Sequence, residues 1–278
     1  MVRNMAKIYV VAGLGYGDEG KGSITDYLVR KHCVELVVRY NGGAQAAHNV
    51  VTPEGYHHVF AQFGAGTFAG AATYLSQNMV VNPITFIREK KRLNKLSVNT
   101  RNIYVNADCL VTTPWHIALN KIRELSKGKD KHGSCGMGIG ETITHPILHV
   151  VDIYSTDLIK KIRSIRRELC GEAMEIGKFA PGIAEQLAVF ESVDVTEFFL
   201  EDLYAFANAI TFVTNKWLDT RLSSISTAVF EGAQGALLDE THGFHPYTSW
   251  TRTAFSEALN LFKGNHEIER VGVVRAFM

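Results

Sequence analysis

Apolar positions near the start of the chain fall into short β-branched runs separated by a stretch with helical spacing. Residues 8–11 form a run of four apolar residues of the kind buried inside a sheet. Residues 21–32 then place Ile24, Tyr27 and Leu28 at helical spacing, and residues 34–40 return to a strand pattern. A strand, helix and strand in this order predict parallel strands joined by a right-handed crossover. We therefore expect an α/β protein with a mostly parallel central β-sheet flanked by helices.

The same pattern predicts further elements along the chain. Helices are expected over residues 83–92, 114–127 and 195–217, with Thr112 or Thr113 as the cap of the second. Strands are expected over residues 226–238 and 271–278, the latter buried. A basic run at residues 160–167 lacks interleaved aromatic residues, which favours a solvated helix face over a surface that binds nucleic acid.

A glycine-rich turn joins the first predicted strand to the first predicted helix. Residues 15–21 fit the first seven places of the phosphate-loop pattern GxxxxGK, but the eighth place is Gly22 where a Ser or Thr is expected. Turn amides and the helix dipole favour a bound phosphate, so we predict a P-loop-like phosphate-binding turn. Without a hydroxyl at the eighth place a metal would need another ligand, and Asp18 is the candidate. The alternative is a turn whose glycines serve packing only.

Two later loops add candidate chemistry. Residues 41–49 follow the second strand and should emerge at the same edge of the sheet as the phosphate turn, so Asp18 and His48 could face one cleft. A carboxylate and an imidazole there suggest acid and base chemistry, although a lone loop histidine is more often a hydrogen-bonded turn residue. Residues 132–141 form a second glycine-rich loop, in which Ser134 could contact a phosphate or simply lie in a surface loop.

The composition of the chain limits the classes of binding partner that are expected. The 278 residues carry 29 basic and 28 acidic side chains, so no global charge favours nucleic acid or a membrane, and a small-molecule partner is expected. No apolar run reaches membrane length. The four cysteines are scattered without a CxxC pair, which predicts reduced thiols and a cytoplasmic protein.

Four segments in order resemble the adenylosuccinate synthetase family: GYGDEGKGS (15–23), VVRYNGGAQAAHNVV (37–51), GSCGMGIGE (133–141) and VFEGAQGALLDETHGFHPYTS (229–249). The resemblance implies a GTP-dependent ligase acting on inosine monophosphate (IMP) and L-aspartate, with 6-phosphoryl-IMP as intermediate and adenylosuccinate as product. It further implies one Mg²⁺ ion, a homodimer, and a single domain over residues 1–278 that lacks the C-terminal part of the family's domain.

The resemblance also implies roles for individual residues. Asp18 would take the N1 proton of the purine and bind the metal, His48 would stabilise charge on the 6-oxygen, and Lys21 would contact phosphate. The carbonyl of Ala47 would be a second metal ligand, which requires a negative φ because the family usually has glycine there. The implied nucleotide- and phosphate-binding residues are Gly17, Asp18, Glu19, Gly20, Lys21, Gly22, Gln45, Ala46, Ala47, His48, Asn49, Ser134, Cys135, Gln234, Thr248 and Ser249.

Some positions depart from the family and leave alternatives open. The family usually has threonines at Ser134 and Cys135, and no arginine stands near His149 where its partner subunit's arginine is expected. After residue 278 the family continues into a loop over aspartate and a guanine-reading segment, so the chain is a fragment, a shortened member or a nucleotide-binding protein without full catalysis. Viral relatives use deoxyguanosine monophosphate (dGMP), but the retained Asp18 favours IMP. Residues 215–219 resemble a guanine-reading NKxD motif with one residue too many, which we interpret as coincidence.

Overall fold

The computed structural model describes residues 5–130, 133–145, 148–178 and 182–276. The β-strands are β1 (Lys7–Gly13), β2 (Leu36–Arg39), β3 (Gly42–Gly43), β4 (His48–Val51), β5 (His57–Phe60), β6 (Ala72–Leu75), β7 (Met79–Val81), β8 (Ile103–Asn106), β9 (Leu110–Val111), β10 (Thr211–Val213), β11 (Thr227–Gly235) and β12 (Glu267–Val273). The α-helices are α1 (Lys21–His32), α2 (Pro83–Lys95), α3 (Pro114–Ser126), α4 (Ile139–Thr144), α5 (Leu158–Gly177), α6 (Ala184–Glu191), α7 (Val193–Ala209), α8 (Asn215–Leu222) and α9 (Phe255–Leu259).

Seven strands form one central sheet in the order β10-β8-β6-β2-β11-β1-β12, and each neighbouring pair is parallel. The predicted fold class, an α/β protein with a mostly parallel sheet, is therefore confirmed. β1 and β2 share the sheet as expected, but β11 lies between them and pairs with both. Residues distant in sequence thus occupy the centre of the sheet, beside the strand that precedes the phosphate turn.

Alternating side chains of the central strands enter different clusters on the two faces of the sheet. Ile8 and Val10 pack in a cluster that includes residues of α8 and α9. Tyr9 and Val11 pack instead with residues of α1, and Val37 of β2 joins them. Both faces are covered, which explains why most positions of these strands are apolar.

Two predictions of secondary structure were wrong. The expected helix over residues 195–217 is interrupted, because the segment Thr211–Val213 pairs with β8 and separates α7 from α8. The last strand is Glu267–Val273, earlier than expected and largely exposed, since it is an edge strand that pairs only with β1 among the described residues. The final two residues of the predicted strand, 277 and 278, lie outside the described part of the chain.

Helices α2 and α3 begin at residues whose side chains cap them. Thr113 caps α3, since its hydroxyl accepts from the N–H of His116 and Pro114 occupies the first helical position. Asn82 caps α2 by accepting from the N–H of Thr85 at 3.1 Å. Among the described helices, none has the length and apolar character needed to cross a bilayer.

Candidate functional site

The turn after β1 folds around a carboxylate of its own. The N–H groups of Gly15 and Gly17 donate to Glu19 Oε1 at 3.1 and 2.8 Å. Lys21 Nζ donates to Glu19 Oε2 at 2.6 Å, and both side chains are almost fully buried. Burial acts to raise the pKa of Glu19, but Lys21 and the Gly17 amide outweigh it and hold that pKa below its ordinary value. A phosphate at this turn would therefore bind beside Glu19 or displace it.

Asp18 lies in the same turn but its carboxylate is exposed. Its side chain is 85% exposed, and its backbone is in the left-handed region with φ 56°. Asp18 Oδ2 lies 3.6 Å from Arg275 Nη2, and Arg275 Nε donates to the carbonyl oxygen of Gly17 at 3.1 Å. Aspartate tolerates this backbone conformation better than most non-glycine residues. Arg275 thus holds the turn at two points and leaves Asp18 open to solvent.

The first turn of α1 packs directly against His48. A Cβ added to Gly22 would lie 2.7 Å from His48 Cβ and 2.9 Å from the His48 carbonyl carbon. Ser23 Oγ also donates to the carbonyl oxygen of Asn49 at 3.1 Å. A side chain at Gly22 would therefore push β4 away. The glycine in the eighth place of the phosphate-loop pattern makes room for His48, and this contact brings the histidine to the helix that follows Asp18.

A buried acid on β11 orients His48. Its Nδ1 lies 2.6 Å from Glu231 Oε1, while Glu231 Oε2 accepts from the N–H of Ala65 at 3.0 Å and lies 3.8 Å from Arg39 Nε. Glu231 and Arg39 are fully buried, and Arg39 Nη1 donates to the carbonyl oxygens of Ala61 and Phe63. This arrangement fixes the plane of the imidazole and leaves Nε2 as the ring nitrogen for a ligand.

Electrostatics set the protonation of this pair. Burial acts to raise the pKa of Glu231, but the charges of His48 and Arg39 outweigh it, so that pKa is lowered. Burial lowers the pKa of His48, and the nearby Glu231 opposes this only in part. Because an ionised carboxylate only accepts, the imidazole must carry its proton on Nδ1. Nε2 then accepts a hydrogen bond in the neutral form and donates one only as imidazolium.

The loop between β3 and β4 holds the remaining residues expected near His48. Both polar side-chain atoms of Gln45 are shielded from solvent and lack a hydrogen-bond partner among the described residues. A buried amide in that state is unusual in a native protein and calls for a ligand or water. Ala46 is half-buried, whereas Ala47 and Asn49 are exposed. Ala47 is not among the described non-glycine residues with positive φ, so the condition that the sequence placed on it is met.

The end of β11 approaches the phosphate turn from the other side. A Cβ on Gly235 would lie 2.1 Å from the Gly15 carbonyl oxygen, so this close approach excludes a side chain. Gln234, at φ 64°, accepts hydrogen bonds at Oε1 from Ser249 Oγ at 3.0 Å and Thr251 Oγ1 at 2.5 Å. Gln234 and Ser249 are therefore brought together. Thr248 is not part of this contact, because its hydroxyl lies 3.1 Å from His245 Nδ1.

The second glycine-rich loop is attached to α3. Ser134 Oγ donates to Asn120 Oδ1 at 3.0 Å and accepts from the N–H of Gly136 at 3.2 Å. Ser134 and Cys135 are exposed. Among the described residues, no hydrogen bond links Ser134 or Cys135 to the phosphate turn. The first residue of the predicted loop, residue 132, lies outside the described residues.

The NKxD-like segment serves the fold. Asn215 Nδ2 donates to Asp108 Oδ2 at 3.0 Å, and Asn215 Oδ1 accepts from Asn106 Nδ2. Asp219 Oδ1 accepts from the N–H of Lys263 at 2.8 Å. These contacts tie α8 to neighbouring loops, which supports the interpretation as coincidence.

Asp18 is the candidate metal ligand at the phosphate turn. No group of three or more His, Cys, Asp or Glu side chains within the described ranges is arranged to hold a metal ion. Mg²⁺ differs from most protein-bound metals in keeping several waters and binding through one or two carboxylates plus substrate phosphates. An exposed carboxylate beside a phosphate turn fits that requirement. The Asp18 carboxylate is thus compatible with a partly hydrated Mg²⁺ ion.

Residues 10–278 match the family model described as adenylosuccinate synthetase. Similar curated proteins are the adenylosuccinate synthetases of Mycobacterium leprae, 32% identical over 276 residues, and Chlorobium limicola, 30% identical over 280 residues. These alignments cover 96% and 97% of this chain and 61% of each relative. The chain therefore spans about three fifths of the length of these relatives.

Two solved structures share the fold. Fully ligated adenylosuccinate synthetase from Plasmodium falciparum matches with a TM-score of 0.74 and 21% identity, covering 97% of this chain and 62% of that one. Cyanophage S-2L succinoaminodeoxyadenylate synthetase, bound to dGMP and to dATP as an energy donor, matches with a TM-score of 0.62 and 17% identity, covering 97% and 64%. At these identities the comparison concerns architecture alone.

Proposed function

The chain belongs to the adenylosuccinate synthetase family, and from this we propose that its protein is a GTP-dependent ligase that joins L-aspartate to IMP. In the first step the 6-oxygen of IMP attacks the γ-phosphorus of GTP, the bond to the bridging oxygen breaks, and GDP leaves. In the second step the aspartate amine attacks C6 and phosphate leaves, which gives adenylosuccinate. Both steps move charge onto oxygen, which positioned cations and hydrogen-bond donors stabilise.

The observation that carries this proposal is the placement of His48 beside the turn that bears Asp18. Asp18 accepts the N1 proton of the purine, for which its exposed and ionisable carboxylate is suited. His48 Nε2, as imidazolium, donates to the 6-oxygen while Nδ1 stays on Glu231. Burial lowers the pKa of His48, so we expect the anionic substrate rather than the solvent to favour this protonated form.

The other implied residues complete the proposed nucleotide site. Lys21 keeps two ammonium protons besides the one given to Glu19, and these are available to a phosphate oxygen. Gln45 supplies an unpartnered amide, and Gln234 retains its own N–H₂ group because only its oxygen is engaged by Ser249 and Thr251. Bound Mg²⁺ would neutralise phosphate charge, held by the Asp18 carboxylate and the Ala47 carbonyl. A homodimer and a cytoplasmic location belong to the same proposal, the latter supported by four free cysteines.

Phosphate release from GTP, IMP and aspartate tests the proposal in protein made from the complete reading frame. Asp18→Ala and His48→Ala should each lower aspartate-dependent turnover by at least 10²-fold, the usual size of general acid–base catalysis. Asp157→Ala is the matched control, because Asp157 is exposed at the start of α5 and makes no side-chain cap. Unchanged turnover in either variant would remove the assigned role.

A second candidate substrate is dGMP, since one structural neighbour was solved with it. The reaction class is the same, and the nucleotide would retain a 2-amino group. Parallel assays with IMP and dGMP at equal concentration decide between them. Tight nucleotide binding by calorimetry together with no turnover of either substrate would instead show a binding protein without catalysis.

A further inference from the structure

A cavity of about 510 Å³ lies between the end of α2 and the turn that leads into β8. Its lining residues are Lys90, Asn94, Ser97, Val98, Asn99, Thr100 and Arg101. Arg101 lies two residues before the start of β8, whereas Asp18 follows the end of β1. Because the central strands are parallel, the cavity lies at the opposite edge of the sheet from the proposed active site. It therefore needs a separate explanation.

The charges around this cavity have one sign. Residues 88–101 contain six basic residues and one acidic residue. The acid, Glu89, is buried and accepts hydrogen bonds from the N–H groups of Ala61 and Gln62, so it is used elsewhere. Among the described residues, no ion pair involves any of the six cations: Arg88, Lys90, Lys91, Arg92, Lys95 and Arg101. The helix dipole places about half a negative charge at the C-terminus of α2. This charge is too small to balance six cations.

The polar groups of the cavity are fixed in position. Lys90 Nζ donates to the Thr100 carbonyl oxygen at 3.0 Å and to Thr100 Oγ1 at 2.7 Å. Thr100 Oγ1 in turn donates to Asn94 Oδ1 at 2.7 Å, which leaves the Asn94 N–H₂ group unused in this chain of bonds. Burial, and then the charge of Arg101, lowers the pKa of Lys90. The ammonium is thus held beside a second cation and keeps one N–H for a ligand.

We propose that this cavity binds a phosphate group, either free phosphate or the phosphate of a small metabolite, through Lys90 and Arg101. A tetrahedral dianion accepts several charge-assisted hydrogen bonds at once, and arginine and lysine are the side chains that supply them. The cavity volume is within the range of small-molecule sites. No carboxylate is among the lining residues of the cavity. A bound dianion would therefore relieve the repulsion between Lys90 and Arg101.

NMR titration with inorganic phosphate tests this site without using activity. The backbone amides of residues 97–101 should shift and saturate in the wild-type protein. Lys90→Gln combined with Arg101→Gln should weaken this binding by at least tenfold. Lys91→Gln combined with Arg92→Gln is the matched control, because it removes the same charge from exposed positions that do not line the cavity. We expect that control to bind as the wild type does.

Arg101→Gln alone guards against a folding defect, since no side-chain hydrogen bond of Arg101 is present in the described structure and Lys90 stays on Thr100. It should weaken phosphate binding several-fold with unchanged thermal unfolding. A parallel titration with ribose 5-phosphate separates the two ligand sources: equal affinity assigns the site to free phosphate, and tighter binding assigns it to a phosphorylated metabolite. Amide shifts that never saturate, or equal losses in the cavity variant and the control, would overturn the proposal in favour of a diffuse basic surface.

Discussion

The two residues at the centre of the proposed chemistry are held in opposite ways. His48 is buried, fixed by Glu231, and that acid is fixed in turn by Ala65 and Arg39. Asp18 is 85% exposed on a left-handed turn residue, with Arg275 as its described ionic contact. The fold therefore fixes the position of the imidazole before any ligand binds, whereas the Asp18 carboxylate is left free to adjust to a ligand.

This difference separates what folding provides from what the substrate must provide. Replacing a side chain in a buried ion-pair network lowers the free energy of unfolding, because it leaves an uncompensated charge on the buried partner. An exposed side chain at a turn contributes little to stability and can adjust to a nucleotide or metal. The comparison predicts that substitutions around His48 affect folding and chemistry together, while substitutions of Asp18 affect chemistry alone.

The largest effect is expected for Glu231→Gln. The substitution leaves the buried Arg39 guanidinium without its nearest carboxylate. It also replaces one of the two oxygens that accept from His48 Nδ1 and the Ala65 N–H with an amide N–H₂ donor. Breaking a buried pair in this way costs about 3–5 kcal/mol. Urea unfolding measures the loss. Glu201→Gln on the exposed face of α7 is the control and should change stability by less than about 0.5 kcal/mol. Equal losses in the two variants would contradict the network.

A smaller loss is expected for Gly22→Ala. The new methyl group would lie within 3 Å of His48, and such overpacking costs about 1–3 kcal/mol. Gly171→Ala in α5 is the control, since nothing lies within 4 Å of a Cβ there. That change should stabilise the helix by roughly 0.5–1 kcal/mol. Thermal unfolding of both proteins checks the opposite signs, and stabilisation by both changes would refute the contact with His48.

A titration of His48 sharpens the comparison further. Burial lowers its pKa and Glu231 raises it in part, so the pKa should fall further in Glu231→Gln. NMR of the imidazole in the two folded proteins measures this. Since the folded pKa lies below the unfolded one, neutral His48 contributes stability that is complete above the ordinary pKa of about 6.5 and is lost as the pH falls through the folded pKa. A higher imidazole pKa in the variant would show that Glu231 is not ionised.

The smallest effect on stability is expected for Asp18→Asn. Asparagine adopts the left-handed conformation as readily, and the lost ion pair with Arg275 is exposed. The free energy of unfolding, measured in urea, should change by less than about 0.5 kcal/mol, although turnover is lost. A loss above 2 kcal/mol would mean that Asp18 supports the fold, and the contrast with His48 would then disappear.

The sequence predicted the elements whose signals are local. Strand β1, the turn and helix α1 follow from residues near one another, and so does the Thr113 cap of α3. The position of β11 between β1 and β2 could not be predicted, because it depends on pairing between residues about 190 positions apart. β10 was missed because three residues of strand character stood between two strong helical patterns.

Part of the site was visible in the sequence and part was not. Asp18, Lys21 and His48 stood in recognisable glycine-rich segments. Glu231 was missed, yet it carried a signal: Arg39 and Glu231 each interrupt an otherwise apolar strand, and the structure places them as partners in the register of β2 and β11. Charged residues are almost never fully buried unless they are paired, so opposite charges inside two buried strands indicate that the strands are neighbours. Arg275 gave no such signal, since its contact with the turn depends on the path of the chain after β12.

The central position of β11 has a consequence for how the molecule comes into being on the ribosome. Until residues 227–235 have been synthesised, β1 and β2 each present an unpaired backbone edge toward the gap that β11 will fill. Until then the nascent chain carries these two open edges, a state prone to association with other chains. Insertion of β11 closes these two edges at once. His48 can pair with Glu231 only after this strand is in place.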